Sequence, residues 1–302
     1  MKKLIIFFII VIQYAYSNSI KVYSSHSIET LYPLIKEFES NYNCKVEVEI
    51  GGTGELVTKV LKQQKQDYPD IFFGGTTLSV APLNHIIKES YSFSIIPNVL
   101  LVNKNIKKDI VIEGYNNLLN PRLKGRIAYS NPKVSSSSFE HLVNILYVMD
   151  EPWNFIKKLL KNTDNIYLES SQDVVEKVVN GKSIVGLTHE VAAIKAMEKN
   201  SSLEIVYMKE GVLAESDGVY VLNKNSCTEA FTKFLSSYDT QLFSNISLNR
   251  RSVRDDIFFS RKLNTLKHRV FIDPNQFEIE KNRSLWIENF DNLLKENNHV
   301  SK

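Results

Sequence analysis

Cysteine is scarce in this chain, with only Cys44 and Cys227 in 302 residues. One possible bond is no disulfide framework, although an oxidising compartment would let the two pair. Neither a CxxC nor an HExxH spacing occurs, which sets aside a structural zinc site. The segment Gly51-Gly52-Thr53-Gly54 lacks the Lys and Ser/Thr that complete a P-loop, so no nucleoside triphosphate is implied. No G-x-S-x-G nucleophile elbow is present either. Internal repeats and low-complexity segments are missing, and the apolar, charged, Gly and Pro contents are those of a globular protein.

Long apolar runs are also missing, with one short exception. Lys2 and Lys3 precede an unbroken apolar run from Leu4 to Ile12, and Ala15-Tyr16-Ser17 follows. This is the order of a secretory signal peptide, with small residues at both cleavage positions. The run falls well short of the ~20 apolar residues that span a bilayer. Cleavage after Ser17 is expected, leaving a mature chain from Asn18; no cysteine near that point supports a lipid anchor. Cleavage removes two lysines and no acid, so the net charge falls from +3 to +1. Basic doublets such as Lys107-Lys108 and Arg250-Arg251 are scattered, and no basic stripe suggests nucleic acid.

What the chain does contain is a regular alternation of strands and helices. Ile20 to Ser24 predicts a strand, followed by a helix with Ile28, Leu31, Leu34, Ile35 and Phe38 on one face. Lys45 to Ile50 alternates at strand period, and Leu56, Val57, Val60 and Leu61 mark a second helix. Asp70 to Phe73 is a third strand, completing a βαβ rhythm. Ile95 to Asn103 and Gly218 to Leu222 are extended stretches. Between them lie strand candidates at Arg126–Tyr129, Ile166–Leu168, Ser183–Leu187 and Ile205–Tyr207, separated by helical segments. A final amphipathic helix carries Leu285, Trp286, Phe290 and Leu293. The expected organisation is one lobe from 18–98 plus 222–302, and a second from 99–221 inserted into it. The two extended stretches then act as crossover strands and hinge.

Ligands of open α/β sheets sit beyond the carboxyl ends of the strands. The loops there are Ser24-Ser25-His26-Ser27, Gly51 to Gly54, Gly74-Gly75-Thr76-Thr77, Asn131-Pro132 with Ser135 to Ser138, and Thr188-His189-Glu190. They offer hydroxyls and backbone N–H groups at helix N-termini, which suits an oxyanion. Each hydroxyl alone is equally an ordinary helix cap. Their convergence on one cleft is what points to a ligand.

The order SSHS, GGTGEL, DIFFGG, NPRLKGRIAYSNPKVSSSSF, GLTHE, AESDGV and RRSVRDD resembles the type II periplasmic solute-binding proteins of ABC importers. Its nearest branch holds the ferric-ion, phosphonate, phosphoglycerate and hexose-phosphate binders, closest to the last. The resemblance implies an α/β, two-lobe type II periplasmic binding fold with two hinge strands and a cleft. It further implies a periplasmic monomer that delivers its ligand to a permease and ATPase of the inner membrane. Iron-binding members place adjacent tyrosines where this chain has Thr188-His189-Glu190-Val191-Ala192, so the resemblance points to a phosphorylated small molecule, with no metal and no cofactor expected. Phosphate contacts are expected from Ser25, Ser27, Thr53, Gly54, Thr76, Thr77 and Ser135, Ser136, Ser137 and Ser138. His26, Thr188, His189, Glu190 and Glu215 are expected at the sugar or polyol end. Glu55 fits the N-terminal charge of its helix, Asp217 a cap of the crossover, and Tyr23 the core. Ferric-ion binding, a sensor component for organophosphates, and a secreted hydrolase using His189 are the competing readings.

Overall fold

The computed structural model describes residues 18–163, 168, 170–258, 260, 262–263 and 270–300. The expected signal segment 1–17, and most of the expected strand Ile166–Leu168, lie outside them.

The chain opens with β1 (Ser19–Ser24), α1 (Ile28–Asn41), β2 (Lys45–Ile50), α2 (Thr53–Lys62), β3 (Ile71–Thr76) and the single-turn α3 (Thr77–Val80). β1 pairs in parallel with both β2 and β3. Successive strand side chains face opposite ways. Ile20, Val22, Ile71 and Phe73 therefore meet Leu31, Leu34 and Phe38 of α1 in one core. Tyr23 and Phe72 turn the other way, towards Leu56, Val57 and Val60 of α2. The apolar runs of these strands reflect burial on both faces.

β4 (Glu89–Asn103) then carries the chain out of this lobe. The second lobe follows with α4 (Lys104–Lys107), β5 (Ile127–Ala128), α5 (Ser136–Val148), α6 (Pro152–Asn162), α7 (Ser171–Val179), β6 (Val185–His189), α8 (Glu190–Lys199) and β7 (Leu203–Val206). β8 (Val212–Val221) returns, and α9 (Ser226–Ser236), α10 (Tyr238–Ser247), β9 (Arg251–Ser252), β10 (Phe271–Ile272) and α11 (Gln276–Val300) complete the chain.

The strand order β2-β1-β3-β8-β4-β6-β5 sets the antiparallel pair β4/β8 between the lobes. The first part of β4 pairs with β8, and its second part pairs with β6 from Asn98–His189 to Val102–Val185. The expected stretch Ile95 to Asn103 lies within β4, and Gly218 to Leu222 lies within β8 except for Leu222, one residue past its end. The strands are longer than the apolar signal because their outer residues, Glu89 to Ser92 among them, are polar and largely solvent-facing.

Val99 to Val102, Phe139, Leu142, Leu159, Val174, Val185 and Leu187 form the second lobe's core. Ile279, Phe290 and Leu294 of α11 are buried in that same core, with the Phe290 ring edge-on to Tyr129 at 5.8 Å. The sequence places 222–302 wholly with the first lobe; α9 goes there, through Phe231 and Leu235, but α11 does not. An amphipathic stripe reports that a helix face is buried and is silent on which surface receives it.

Cys44 and Cys227 form a disulfide with Cα atoms 5.9 Å apart, tying the start of β2 to α9. The described residues include no helix long and apolar enough to cross a membrane.

Candidate ligand cleft

The loops at the carboxyl ends of β1, β2, β3 and β6 meet the N-termini of α5 and α7 around a cleft of about 1060 Å³ between the lobes. β3 ends in Gly74 and Gly75, whose φ values of +105° and +77° favour glycine. A Cβ at Gly74 would stand 2.6 Å from Ser25 Oγ, so its absence lets the loops after β1 and β3 touch. The floor is the crossover pair itself: Ser94 lies opposite Asp217 and Ile96 opposite Glu215, on one face of the sheet.

Eight of the expected residues line the cleft: Ser25, His26, Thr53, Gly54, Thr76, Ser135, Ser136 and His189. The others are placed elsewhere. Ser27 is the exposed N-cap residue of α1, and Thr77 is the first residue of α3. Ser137 sits 3.2 Å from Ser135 Oγ, and Ser138 donates to the Ser130 carbonyl, both within buried surroundings. Thr188 is buried in β6, its carbonyl accepting from His141 Nε2 at 3.0 Å. Glu190 does not face the cleft. It is fully buried in a two-point ion pair with Arg251, Nε and Nη2 each 2.7 Å from its oxygens. A helix start such as Ser135 to Ser138 turns successive residues about 100° apart, so four serines in a row serve different surfaces.

The helix ends decide between capping and ligand binding. α2 begins after Gly52, which has no side chain to cap with, and the Ser135 hydroxyl makes no cap bond to α5. Both ends therefore keep unpaired first-turn N–H donors and the positive pole of the helix. Both ends line the cleft and approach closely: a Cβ on Gly54 would lie 3.6 Å from the carbonyl oxygen of Val134, just before α5. α7, which also reaches the cleft with Ser170 and Ser171, is closed by a Ser170–Asp173 capping box.

Sequence reasoning passed over a buried charged group at the floor. Asp217 accepts from His26 Nε2 at 2.9 Å, Arg250 Nη1 at 2.6 Å and Ser94 Oγ at 3.2 Å. Burial pushes the Asp217 carboxyl up, but His26, Arg250 and these hydrogen bonds outweigh it and hold it below the ordinary range. Burial lowers the His26 pKa, the charge of Asp217 works against that, and the Nε2–H group donates its hydrogen bond to Asp217. Nothing in the order RRSVRDD distinguishes Arg250 from a solvated surface basic residue.

A second group bridges the lobes. Glu140 of α5 accepts from Thr76 Oγ1 of the first lobe at 2.6 Å and from His189 Nε2 at 2.8 Å. Asn98, opposite His189, is fully buried and its amide has no hydrogen-bond partner among the described residues. Glu215 is not among the residues lining the cleft; its carboxylate oxygen is 3.4 Å from Gln276 Nε2. Burial, and then the charge of Glu140, push its pKa from 4.5 up to about 7. The folded protein thus holds this proton where the unfolded chain releases it, and stability falls as pH rises from 4.5 through about 7. Glu215→Gln removes that penalty: at about pH 8 the variant gains on the order of 3 kcal/mol, and the gain vanishes near pH 4. Denaturant titrations at the two pH values check this, and an equal effect at both would refute it.

Two α/β lobes, two crossover strands and helix ends turned into the cleft between them define a class: proteins that capture a solute by closing on it. The model of the bacterial extracellular solute-binding proteins matches residues 20–243, and the chain belongs to that family. Solved structures share the fold. AfuA of Actinobacillus pleuropneumoniae, with exogenous fructose-6-phosphate bound, superposes with a TM-score of 0.80 at 20% identity, over 92% of this chain and 99% of that one. The ferric binding protein of Campylobacter jejuni gives 0.77 at 18% identity, covering 91% and 99%. A two-component system protein described as mediating signal transduction gives 0.79 at 25% identity, covering 87% and 99%. No curated protein matches the chain.

Proposed function

We propose that this protein captures a small phosphorylated solute, a sugar phosphate such as a hexose 6-phosphate, in the periplasm and passes it to an inner-membrane ABC permease and its ATPase. It acts as a monomer freed by signal cleavage, its lobes rotating about β4 and β8: 18–98 with α9 forms one, and 99–221 with α11 packed on it forms the other. Binding is its whole task, with no catalysis.

The observation that carries this reading is that the helix starts of α2 and α5, neither with a side-chain cap bond, both line the cleft. A phosphoryl group between them pairs donors that otherwise lack acceptors, and the hydroxyls of Thr53, Ser135 and Ser136 add to the set. Hydrogen bonds to a charged group contribute roughly 1.5–3 kcal/mol each. A handful exceeds the ~8 kcal/mol of micromolar affinity, the remainder offsetting ordering and desolvation. His189 and Glu140 then face the polyol end.

The ferric alternative is disfavoured by the donor set, because no tyrosine is among the residues lining the cleft. The likeness to a signal-transduction protein supports a sensor reading of the same cleft, in which the closed form addresses a membrane kinase instead of a permease.

Thermal-shift screening of glucose 6-phosphate, fructose 6-phosphate, phosphoglycerate, phosphonates and ferric citrate tests the ligand class. A rise in melting temperature is expected with a phosphorylated sugar; a rise with ferric citrate alone would reverse the reading. Thr53→Ala is expected to weaken every phosphorylated ligand by about tenfold or more. His189→Ala is expected to change preference among the sugars, and unchanged affinities would remove His189 from the polyol end.

A further inference from the structure

We propose that Arg250 is the charge-reading residue of the cleft, the group through which the site selects a solute carrying a full negative charge over its uncharged parent. This rests on the oxyanion reading above and adds the residue that enforces it.

Arg250 sits where the chain meets the crossover strand, just before β9 pairs with Ser94 and Ile95 of β4. Neighbouring strand positions face opposite ways. Arg251 accordingly enters the seam between the lobes to meet Glu190, while Arg250 lines the cleft. Arg250 is 8% exposed and is the one guanidinium among the lining residues.

Its setting is that of a held donor. Nη1 is fixed by Asp217 Oδ2 at 2.6 Å and Ser94 Oγ at 3.2 Å. Nε and Nη2 have no protein partner among the described residues, which leaves the free edge of a rigid fork matched to two oxygens of one anion. Asp217 does not repel such an anion, because Arg250 balances its charge and His26 and Ser94 both donate hydrogen bonds to it.

The other cations at the cleft are less suited to this. Lys59 is exposed and paired with Glu49, and Lys62 and Lys133 are exposed at the rim, where salt screens them. A buried guanidinium is screened far less, so its selection for charge persists in salt. Glu55, also on the lining, sets the opposite sign at the rim.

Calorimetric titration of the full mature chain tests this, with inorganic phosphate, glucose 6-phosphate, phosphoglycerate and uncharged glucose as probes. Three proteins are compared: wild type, Arg250→Lys and the double variant Arg250→Gln/Asp217→Asn. The double variant replaces a charged pair by a neutral one, so its ligand-free melting temperature is expected near that of wild type. Its affinity for the phosphoryl probe that wild type binds is expected to fall about 30-fold or more, with little change for glucose. Arg250→Lys keeps the partner of Asp217 and loses the fork; about a tenfold loss is expected, which preserves the test if the double variant fails to fold. Wild type binding a phosphoryl probe with both variants within about twofold of it overturns the role of Arg250 and leaves the oxyanion reading standing. Wild type binding none of the phosphoryl probes overturns both.

Discussion

Arg251→Met is expected to cost about 3–5 kcal/mol of stability, the toll of leaving one member of a buried ion pair without its partner. Arg251 and Glu190 are 1% and 0% exposed, and they meet through two bonds of 2.7 Å. Tyr207 also donates to Glu190, and burial followed by that carboxylate drives the Tyr207 pKa upwards. Methionine fills the volume of the arginine stem, so the loss is electrostatic in origin. The double variant Glu190→Gln/Arg251→Met is expected to recover most of it, since removing both charges removes the uncompensated one. Denaturant midpoints of the two variants decide the matter. A single variant within about 1 kcal/mol of wild type would mean that water reaches Glu190 in the folded state. The pair joins the start of α8 in one lobe to β9 beside the crossover in the other.

Opening the disulfide is expected to have the other large effect. Cys44 and Cys227 are 183 positions apart in the chain. Closing so long a loop restricts the unfolded ensemble by about 5 kcal/mol in the chain-entropy model, and measured losses run from about 2 to 5. Cys44→Ser/Cys227→Ser, or wild type with reductant, should unfold at correspondingly lower denaturant, with ligand binding retained because both sulfurs lie away from the cleft lining. An unchanged midpoint under reductant would show that the bond carries no stability.

Much of the fold was legible because burial on two faces writes itself into local pattern. The period-two run of β2 and the apolar stripes of α1 and α2 all predict the elements observed. The small polar loops at strand ends also led to the cleft, because strand polarity alone determines which end of a parallel sheet is open. Within a loop, however, side-chain direction depends on the helix that follows. Ser135 and Ser136 reach the cleft while Ser138, in the same run, bonds the Ser130 carbonyl. Glu190 and Glu215 looked alike as acids near strand ends, yet one is locked to Arg251 and the other is not among the residues lining the cleft.

The sequence by itself determined the α/β class, the two crossover strands and strand-end loops rich in hydroxyls. All of these follow from spacing and polarity over a few neighbouring residues. Only the tertiary structure decided that α11 covers the second lobe, that Cys44 meets Cys227, and that Asp217, His26 and Arg250 form one buried hydrogen-bonded group. Those pairings join positions far apart in the chain. Their energy comes from desolvated charges and bonds that exist only once both lobes are folded, so no local pattern encodes them.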